Sequence, residues 1–565
     1  MPGLLERIAA KLAQAHARGV YRRFLAALDA VEAAQAASLR RALDVVSESE
    51  FGRKNHLDKI RSVRDLRAAL PLLRYEDYRP WIDRVCDGDT RALFAPHVKV
   101  VMFAASSGTT AAPKRIPVTQ QFVADYRRGW NTFGLKMLSD HPRAVLRPIL
   151  QCSGRHDTER TPAGTPVGAI TGLLARTQKR IVRRFYVDRP EIAAIEPPVA
   201  RYYALMRLGI CRDVAFAITA NPATLIQMAR VANEHSEALI RDIHDGTLSG
   251  EMVPDVALRQ ALARRLRPDP CRAAELTELR DRLGALRPRD YWKLEFLACW
   301  TGGSLSHYLP RLADWWGALP VRDIGLLASE GRVSIPLEDN TPIGVLDVTS
   351  AVFEFIPANE ADREHPTTLW WKELEIGQEY AVVLSNTTGL LRYRLDDVVR
   401  VHGTLRQAPL VEFRYRAGRV ASVAGEKLTE NQVVAAAMKA WQRLGLSGFD
   451  FVLAPCWDDP PYYRLNAPPP ADDSIAQAMD ELLAKQNEEY ASRRKSGRLG
   501  PLRVRVVTSE TLQAMQQRLL KDRRSLAEQY KPPALLTNPG DDDLHLGFGE
   551  SPGFQASEQA TQRKG

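Results

Sequence analysis

An apolar run from Val98 to Ala105 breaks abruptly into Ser106, Ser107, Gly108, Thr109 and Thr110, and Lys114 follows a few residues later. Hydroxyls and free backbone N–H groups can wrap the non-bridging oxygens of a polyphosphate, a glycine lets the backbone approach without a Cβ, and a lysine adds positive charge. The pattern predicts a nucleotide-phosphate loop. It is not the Walker loop, because G-x-x-x-x-G-K-[ST] occurs nowhere in the chain. Taken alone, the same residues make an equally good Ser/Thr-rich turn after a strand.

Two later segments carry complementary chemistry. Asp323 to Gly331 is an apolar stretch that ends in Ser329 and Glu330, a hydroxyl and a carboxylate of the kind that hold an α-phosphate and its Mg²⁺. In Gly389 to Val401 the pair Asp396-Asp397 sits at a predicted turn between alternating strand-like residues. A carboxylate there can accept both ribose hydroxyls. Each has a plainer reading, since a glutamate beside a serine is usually a helix cap and paired aspartates are common in turns. The order of the three segments along one chain is what favours the chemistry.

The elements that must position these groups follow from periodicity. Residues 1 to about 70 read as helical scaffold, with Leu4, Leu5, Ile8, Leu12 and then Phe24, Leu25, Leu28, Val31 at helix spacing. From Val98 onward strands and helices alternate, with a helix from Gln121 to Leu138, a strand from Val145 to Gln151 and one amphipathic helix from Ala223 to Ile243. Such alternation predicts an α/β fold with a mostly parallel, helix-covered sheet. Between Val345 and Val401 short strands separated by turn residues suggest a small β-barrel-like subdomain. Asn221 before Pro222 reads as a helix N-cap.

Composition bounds the function. At 565 residues the chain exceeds one ordinary core, and 45% hydrophobic residues allow a large one. No run approaches the roughly 18 apolar residues of a membrane span and the N-terminus lacks a signal-peptide core, so a soluble cytoplasmic enzyme is expected, with no membrane partner. Cys86, Cys152, Cys211, Cys271, Cys299 and Cys456 are scattered without zinc spacing, so reduced thiols are expected. The net charge of +10 is spread among acids rather than gathered on one stripe, which argues against nucleic acid and for a general attraction to anionic substrates. No G-x-S-x-G elbow occurs, which disfavours a serine hydrolase.

With these residues in view, the chain resembles a bacterial member of the Gretchen Hagen auxin-responsive family, the acyl-acid amido synthetases of the adenylate-forming superfamily that includes firefly luciferase. The resemblance spans nearly the whole chain. It includes Leu73 to Arg84 and Gly88-Asp89 upstream, and Gln486 to Tyr490, Gly500 to Val507 and Gln529 to Pro533 downstream. The last series is the most specific, because general acyl-CoA ligases lack it.

The resemblance implies a large N-terminal ATP- and acyl-acid-binding domain over 1–417 and a smaller mobile α+β lid domain over 418–535 hinged near Gly418, and the Gly/Asp/Ser-rich composition beyond it predicts a disordered tail over 536–565. It implies ATP and Mg²⁺ as cofactors. The substrates would be a small carboxylic acid and an amino acid or other amine, handled by a monomer or weak homo-oligomer. Ser106, Ser107, Gly108, Thr109, Thr110 and Lys114 match the phosphate loop, Ser329 the α-phosphate contact, Glu330 the Mg²⁺ ligand and Asp397 the ribose aspartate, with Asp396 where the family often has glycine. Thr301-Gly302-Gly303 resembles the glycine turn beneath the adenine and acyl group, and Lys531 the lysine that closes on the α-phosphate. The acid pocket is expected around Gln151 to Ile170 and near Trp300. Leu326 stands where the family usually has tyrosine, and Ala111-Ala112 where glycine is common, so a modified nucleotide pocket is expected. An acyl-CoA ligase or stand-alone adenylating enzyme shares the first half-reaction, and a non-catalytic nucleotide-binding protein would share the fold.

Overall fold

The computed structural model describes residues 4–105, 114–361, 363–417, 420–521 and 532–548. The chain divides into two compact units, the first running through Ala417. Among the described residues no helix is long and apolar enough to cross a membrane.

In the first unit, helices Leu4–Asp29 and Val31–Val46 use an apolar stripe that includes Phe24, Leu28, Val31, Leu39 and Val46, all buried. The strand Val100–Ala105 pairs antiparallel with Arg115–Thr119 on one side and parallel with Pro166–Gly168 on the other. A second sheet is wholly parallel, in the order Ile149–Gln151, Phe216–Ile218, Phe296–Ala298 and Val321–Arg322. Helices separate its strands in sequence, as parallel pairing requires. A third sheet of six antiparallel strands runs Ser334–Ile335, Gly344–Leu346, Ala408–Arg416, Tyr393–Leu405, Glu379–Ser385, Val352–Pro357, the first and last being its edges. This is the short-strand region read from the sequence. Its strands contribute Val345, Phe353, Phe355, Val382, Leu384 and Val399 to a core shared with the N-terminal helices.

The amphipathic stretch from Ala223 to Ile243 is two helices rather than one. Pro222–Glu234 ends at His235 and Ser236–Asp245 begins there. The break lets the second helix pack on Pro270–Leu283 while the first packs on Pro198–Ile210, with Leu225, Met228, Ala229, Leu239 and Ile243 buried in one core. Asn221 does cap the first helix, its side chain accepting from the Ala223 N–H at 2.9 Å.

The second unit carries its own core. Helices Glu430–Arg443 and Asp473–Gln486 cover a sheet in which Val452–Cys456 pairs antiparallel with Tyr462–Ala467, and Tyr462–Ala467 pairs parallel with Arg503–Val506. The expectation of disorder from residue 536 onward is corrected for the described part. Leu536 donates its N–H to the Leu453 carbonyl at 2.9 Å, and Asp541–Leu546 is helical. Asp542, fully buried, is bound by Arg464, Arg505 and Asn466. Polar composition suggested solvent there, but Asp542 and Asp543 are the counter-charges of the strand arginines Arg464 and Arg505.

Candidate active site

The site is built at the end of the strand Val100–Ala105. Met102, Phe103 and Ala104 are buried, which fixes the strand in the core and makes Ala105 its exit. Ser106, Ser107, Gly108, Thr109 and Thr110 follow and lie outside the described residues. The chain is described again from Lys114, beside the strand end, because Ala105 pairs with Arg115. The Lys114 ammonium lies over the Tyr75 ring, 5.4 Å from its centroid, and donates to the Tyr393 hydroxyl at 3.4 Å.

Ser329 and Glu330 form the two-residue turn of a tight hairpin, Leu327–Ala328 against Gly331–Arg332. A helix cap is therefore not their role. Ser329 Oγ reaches the Ala105 carbonyl at 3.5 Å, which brings the turn to the strand exit. The Glu330 carboxylate is buried and accepts from the Tyr393 hydroxyl at 3.1 Å. Its backbone carbonyl accepts from Asn386 Nδ2 at 2.7 Å. A Cβ at Gly331 would stand 2.9 Å from that same nitrogen, so the close approach requires glycine. Lys114, Tyr393 and Glu330 thus form a cation–phenol–carboxylate chain. Burial first, and then the Glu330 charge, hold the Tyr393 hydroxyl well above the usual phenol range, so it serves as a donor.

Asp396-Asp397 does not lie in a turn between strands. The pair sits inside the continuous strand Tyr393–Leu405, at a bulge where the register with the neighbouring strand jumps between Ala381 and Val383. Asp396 takes the left-handed conformation, φ 63°, which aspartate tolerates better than most residues. A bulge re-aims the residue that follows it. Asp397 faces Arg416 across the pairing with Ala408–Arg416, and Arg416 Nε lies 3.8 Å from its Oδ1. The Asp397 charge, opposed by burial and assisted by Glu330, holds the guanidinium above its ordinary value. Arg416 therefore shares one electrostatic field with both carboxylates.

Thr301, Gly302 and Gly303 leave the carboxyl end of the parallel strand Phe296–Ala298, the edge where open α/β sheets bind ligands. Asp323, at the end of the adjacent strand, accepts from the Thr301 N–H and hydroxyl at 2.6 and 2.8 Å and from the Gly325 N–H at 2.6 Å. Gly303 has φ 58°, and a Cβ there would stand 3.3 Å from the Arg414 carbonyl. The glycine turn is thereby seated on the strand that carries Arg416. Leu326 lies at the hairpin base, its N–H donating to Ser334 Oγ at 3.0 Å.

The structure thus gathers Lys114, Ser329 and Glu330, sets Asp397 beside Arg416, and docks Thr301–Gly303 on the same sheet. Lys531 lies outside the described residues. Sequence reasoning missed Tyr75, Tyr393, Arg416 and Asp323 as site-building residues. Tyr75, Asp323 and Tyr393 belong to motif segments, but their partners Lys114, Thr301 and Glu330 come from distant parts of the chain, which spacing does not show.

Among the described residues no three His, Cys, Asp or Glu side chains converge to hold a metal by themselves. That donor set fits Mg²⁺, which is ordinarily held by one or two carboxylates plus substrate phosphates and water rather than by a protein cage. Glu330 is the residue that would hold it.

The fold and site together define a two-unit α/β protein with cations and a buried carboxylate converging at strand ends, chemistry suited to a polyphosphate and its metal. The sequence matches the GH3 family N-terminal domain over residues 20–321, the GH3 family central domain over 344–416 and the GH3 family C-terminal domain over 431–540. The chain belongs to the GH3 family. It is 26% identical over 561 residues to the indole-3-acetic acid-amido synthetase GH3.10 of Arabidopsis thaliana, covering 89% of this chain and 92% of that one. It is 26% identical over 470 residues to the jasmonoyl–L-amino acid synthetase JAR4 of Nicotiana attenuata, covering 78% and 80%. The fold matches the structure of the GH3.15 acyl acid amido synthetase with a TM-score of 0.81 at 20% identity, over 92% of this chain and 95% of that one.

Proposed function

We propose that this chain is an ATP-dependent acyl-acid amido synthetase. It adenylates a small carboxylic acid, releases pyrophosphate, and transfers the acyl group to an amino acid or other amine. The carrying observation is the convergence of Lys114, Tyr393, Glu330 and Ser329 at the exit of Val100–Ala105. The names of its relatives, acid–amino acid synthetases, support the acceptor class.

An acid's oxide is a poor leaving group, so activation must come first. A carboxylate oxygen of the acid attacks the α-phosphorus, the bond to the β-phosphate oxygen breaks, and pyrophosphate leaves. The amine nitrogen then attacks the acyl carbon, the C–O bond to AMP breaks, and the nitrogen gives its proton to solvent. The catalytic demand is to offset charge on the reacting phosphate without water. Lys114 and the hydroxyls Ser106, Ser107, Thr109 and Thr110, with Gly108, serve the departing phosphates. Ser329 contacts the α-phosphate, and Lys531 adds a second cation there. Mg²⁺ on Glu330 would supply Lewis-acid neutralisation of phosphate charge. Asp397, beside Arg416, accepts the ribose hydroxyls, while Thr301–Gly303 lies under the adenine and acyl group. On the same reading the enzyme is a bacterial cytoplasmic protein, a monomer or weak homo-oligomer, with residues 418–535 acting as its lid.

The test is to incubate the protein with ATP, a panel of acids, and either amino acids or coenzyme A, and to identify products by mass spectrometry. Acyl amides with pyrophosphate release are expected. Thioesters alone would make it a CoA ligase, and no pyrophosphate with any acid would make it a non-catalytic nucleotide-binding protein.

A further inference from the structure

The hairpin that presents Ser329 and Glu330 is only two residue pairs long, and two-stranded ribbons of this size have little stability of their own. Something else must hold its tip in place. Its second strand ends in Arg332, 1% exposed, whose Nη1 donates to the carbonyl of Ile324 before the hairpin and to that of Ser334 after it, both at 3.1 Å. One nitrogen therefore clamps both legs. The guanidinium rests on aromatic faces of the helix Gln120–Asp140, 4.7 Å from the centroid of Trp130 and 5.6 Å from that of Phe133. The Arg332 carbonyl is itself bound by Ser350 Oγ at 3.1 Å.

The helix is shaped for this side chain. A Cβ at Gly129, in mid-helix, would stand 2.7 Å from Arg332 Cδ and 2.9 Å from Asp347 Oδ2. Asp347 is fully buried, with Oδ1 taken by the Thr349 hydroxyl at 2.8 Å. It places a carboxylate near the arginine without closing a direct ion pair. Burying a guanidinium is costly, and an aliphatic residue would fill a core position at less cost. The retained groups, two carbonyls spanned and two rings covered, are those that fix the geometry of the loop above.

We infer that Arg332 is a positioning residue: its guanidinium, seated in the groove left by Gly129, locks the Ile324–Ser334 hairpin so that Ser329 and Glu330 meet the reacting phosphate. This rests on the adenylation reading. A lysine keeps the charge but loses the planar fork and the stacking. Displacing a catalytic group by about 1 Å can cost up to ~100-fold in rate.

The experiment measures two readouts on Arg332→Lys and Gly129→Ala in the full chain. Steady-state pyrophosphate release should show kcat lowered about tenfold in Arg332→Lys, with the KM for ATP within about twofold of wild type. Hydrogen exchange should accelerate about tenfold or more at the amides of residues 326–333, while those of Glu379–Ser385 keep their protection. Gly129→Ala should show the same signature at smaller amplitude. Unchanged kcat and unchanged hairpin exchange in both variants would overturn the inference. So would protection lost equally across the six-stranded sheet, which marks a residue that only supports the core. If the wild-type protein releases no pyrophosphate with any acid, the adenylation reading fails, and the exchange data still decide whether Arg332 locks the hairpin.

Discussion

Two buried carboxylates, one in each unit, stand in contrasting environments. Asp542 in the second unit accepts from Arg464 at 2.8 and 3.0 Å, from Arg505 at 2.9 Å and from Asn466 at 3.0 Å. Glu330 in the first unit is equally withdrawn from water at 2% exposure. Yet among the described residues its carboxylate takes one hydrogen bond, from the Tyr393 phenol. A saturated carboxylate has nothing left to offer a ligand and serves the fold. One whose described hydrogen bond is a single phenol, with the Arg416 cation in its field, keeps acceptor capacity that suits a ligand cation.

The sharpest break of this comparison is Glu330→Gln. Pyrophosphate release should fall about 10²–10³-fold, the scale for loss of one preorganised electrostatic group. Stability should change by less than ~1 kcal/mol, since only one hydrogen bond is altered. A near wild-type rate would remove Glu330 from the chemistry. Asp542→Asn is the mirror image. Removing the fully buried one of the two aspartates that Arg464 and Arg505 share, while Asp543 stays on both, should cost about 2 kcal/mol, read as an earlier urea transition of the second unit. An unshifted transition would mean that saturation does not mark a structural role.

Smaller effects refine the first unit. Asp397→Ala should raise the KM for ATP about tenfold, ~1.5 kcal/mol, with kcat less affected, because a ribose contact is similar in ground and transition states. Asp396→Gly should change stability by less than about 1 kcal/mol, since glycine accepts the positive φ freely but loses the contacts to Arg394 and Arg74. Its KM for ATP should stay at the wild-type value. If that KM rises and the Asp397 variant's does not, the ribose role belongs to Asp396.

What could be read from the sequence follows from how local each feature is. Ser329-Glu330 and Asp396-Asp397 are adjacent pairs and stand out as motifs. Alternating strands and helices imply the parallel sheet because the connections must cover it. Arg416 could not be read beside Asp397, since that neighbourhood is set by strand register across a bulge. Nor could periodicity show the break at His235, because two helices in tandem keep the same apolar spacing. Asp542 and Asp543 resembled a solvated tail for a related reason. Their arginines are supplied by strands that begin far upstream.

The groove at Gly129 also bears on how this chain can change over generations. Three positions far apart in sequence, 129, 332 and 347, occupy one small volume, so none is free to drift by itself. A methyl group gained at 129 would be tolerated only in a lineage that had already shortened the side chain at 332, and a hydrophobic residue at 332 would remove the reason for an acid at 347. Aligned GH3 sequences should therefore substitute these three positions as a set, with intermediate combinations rare.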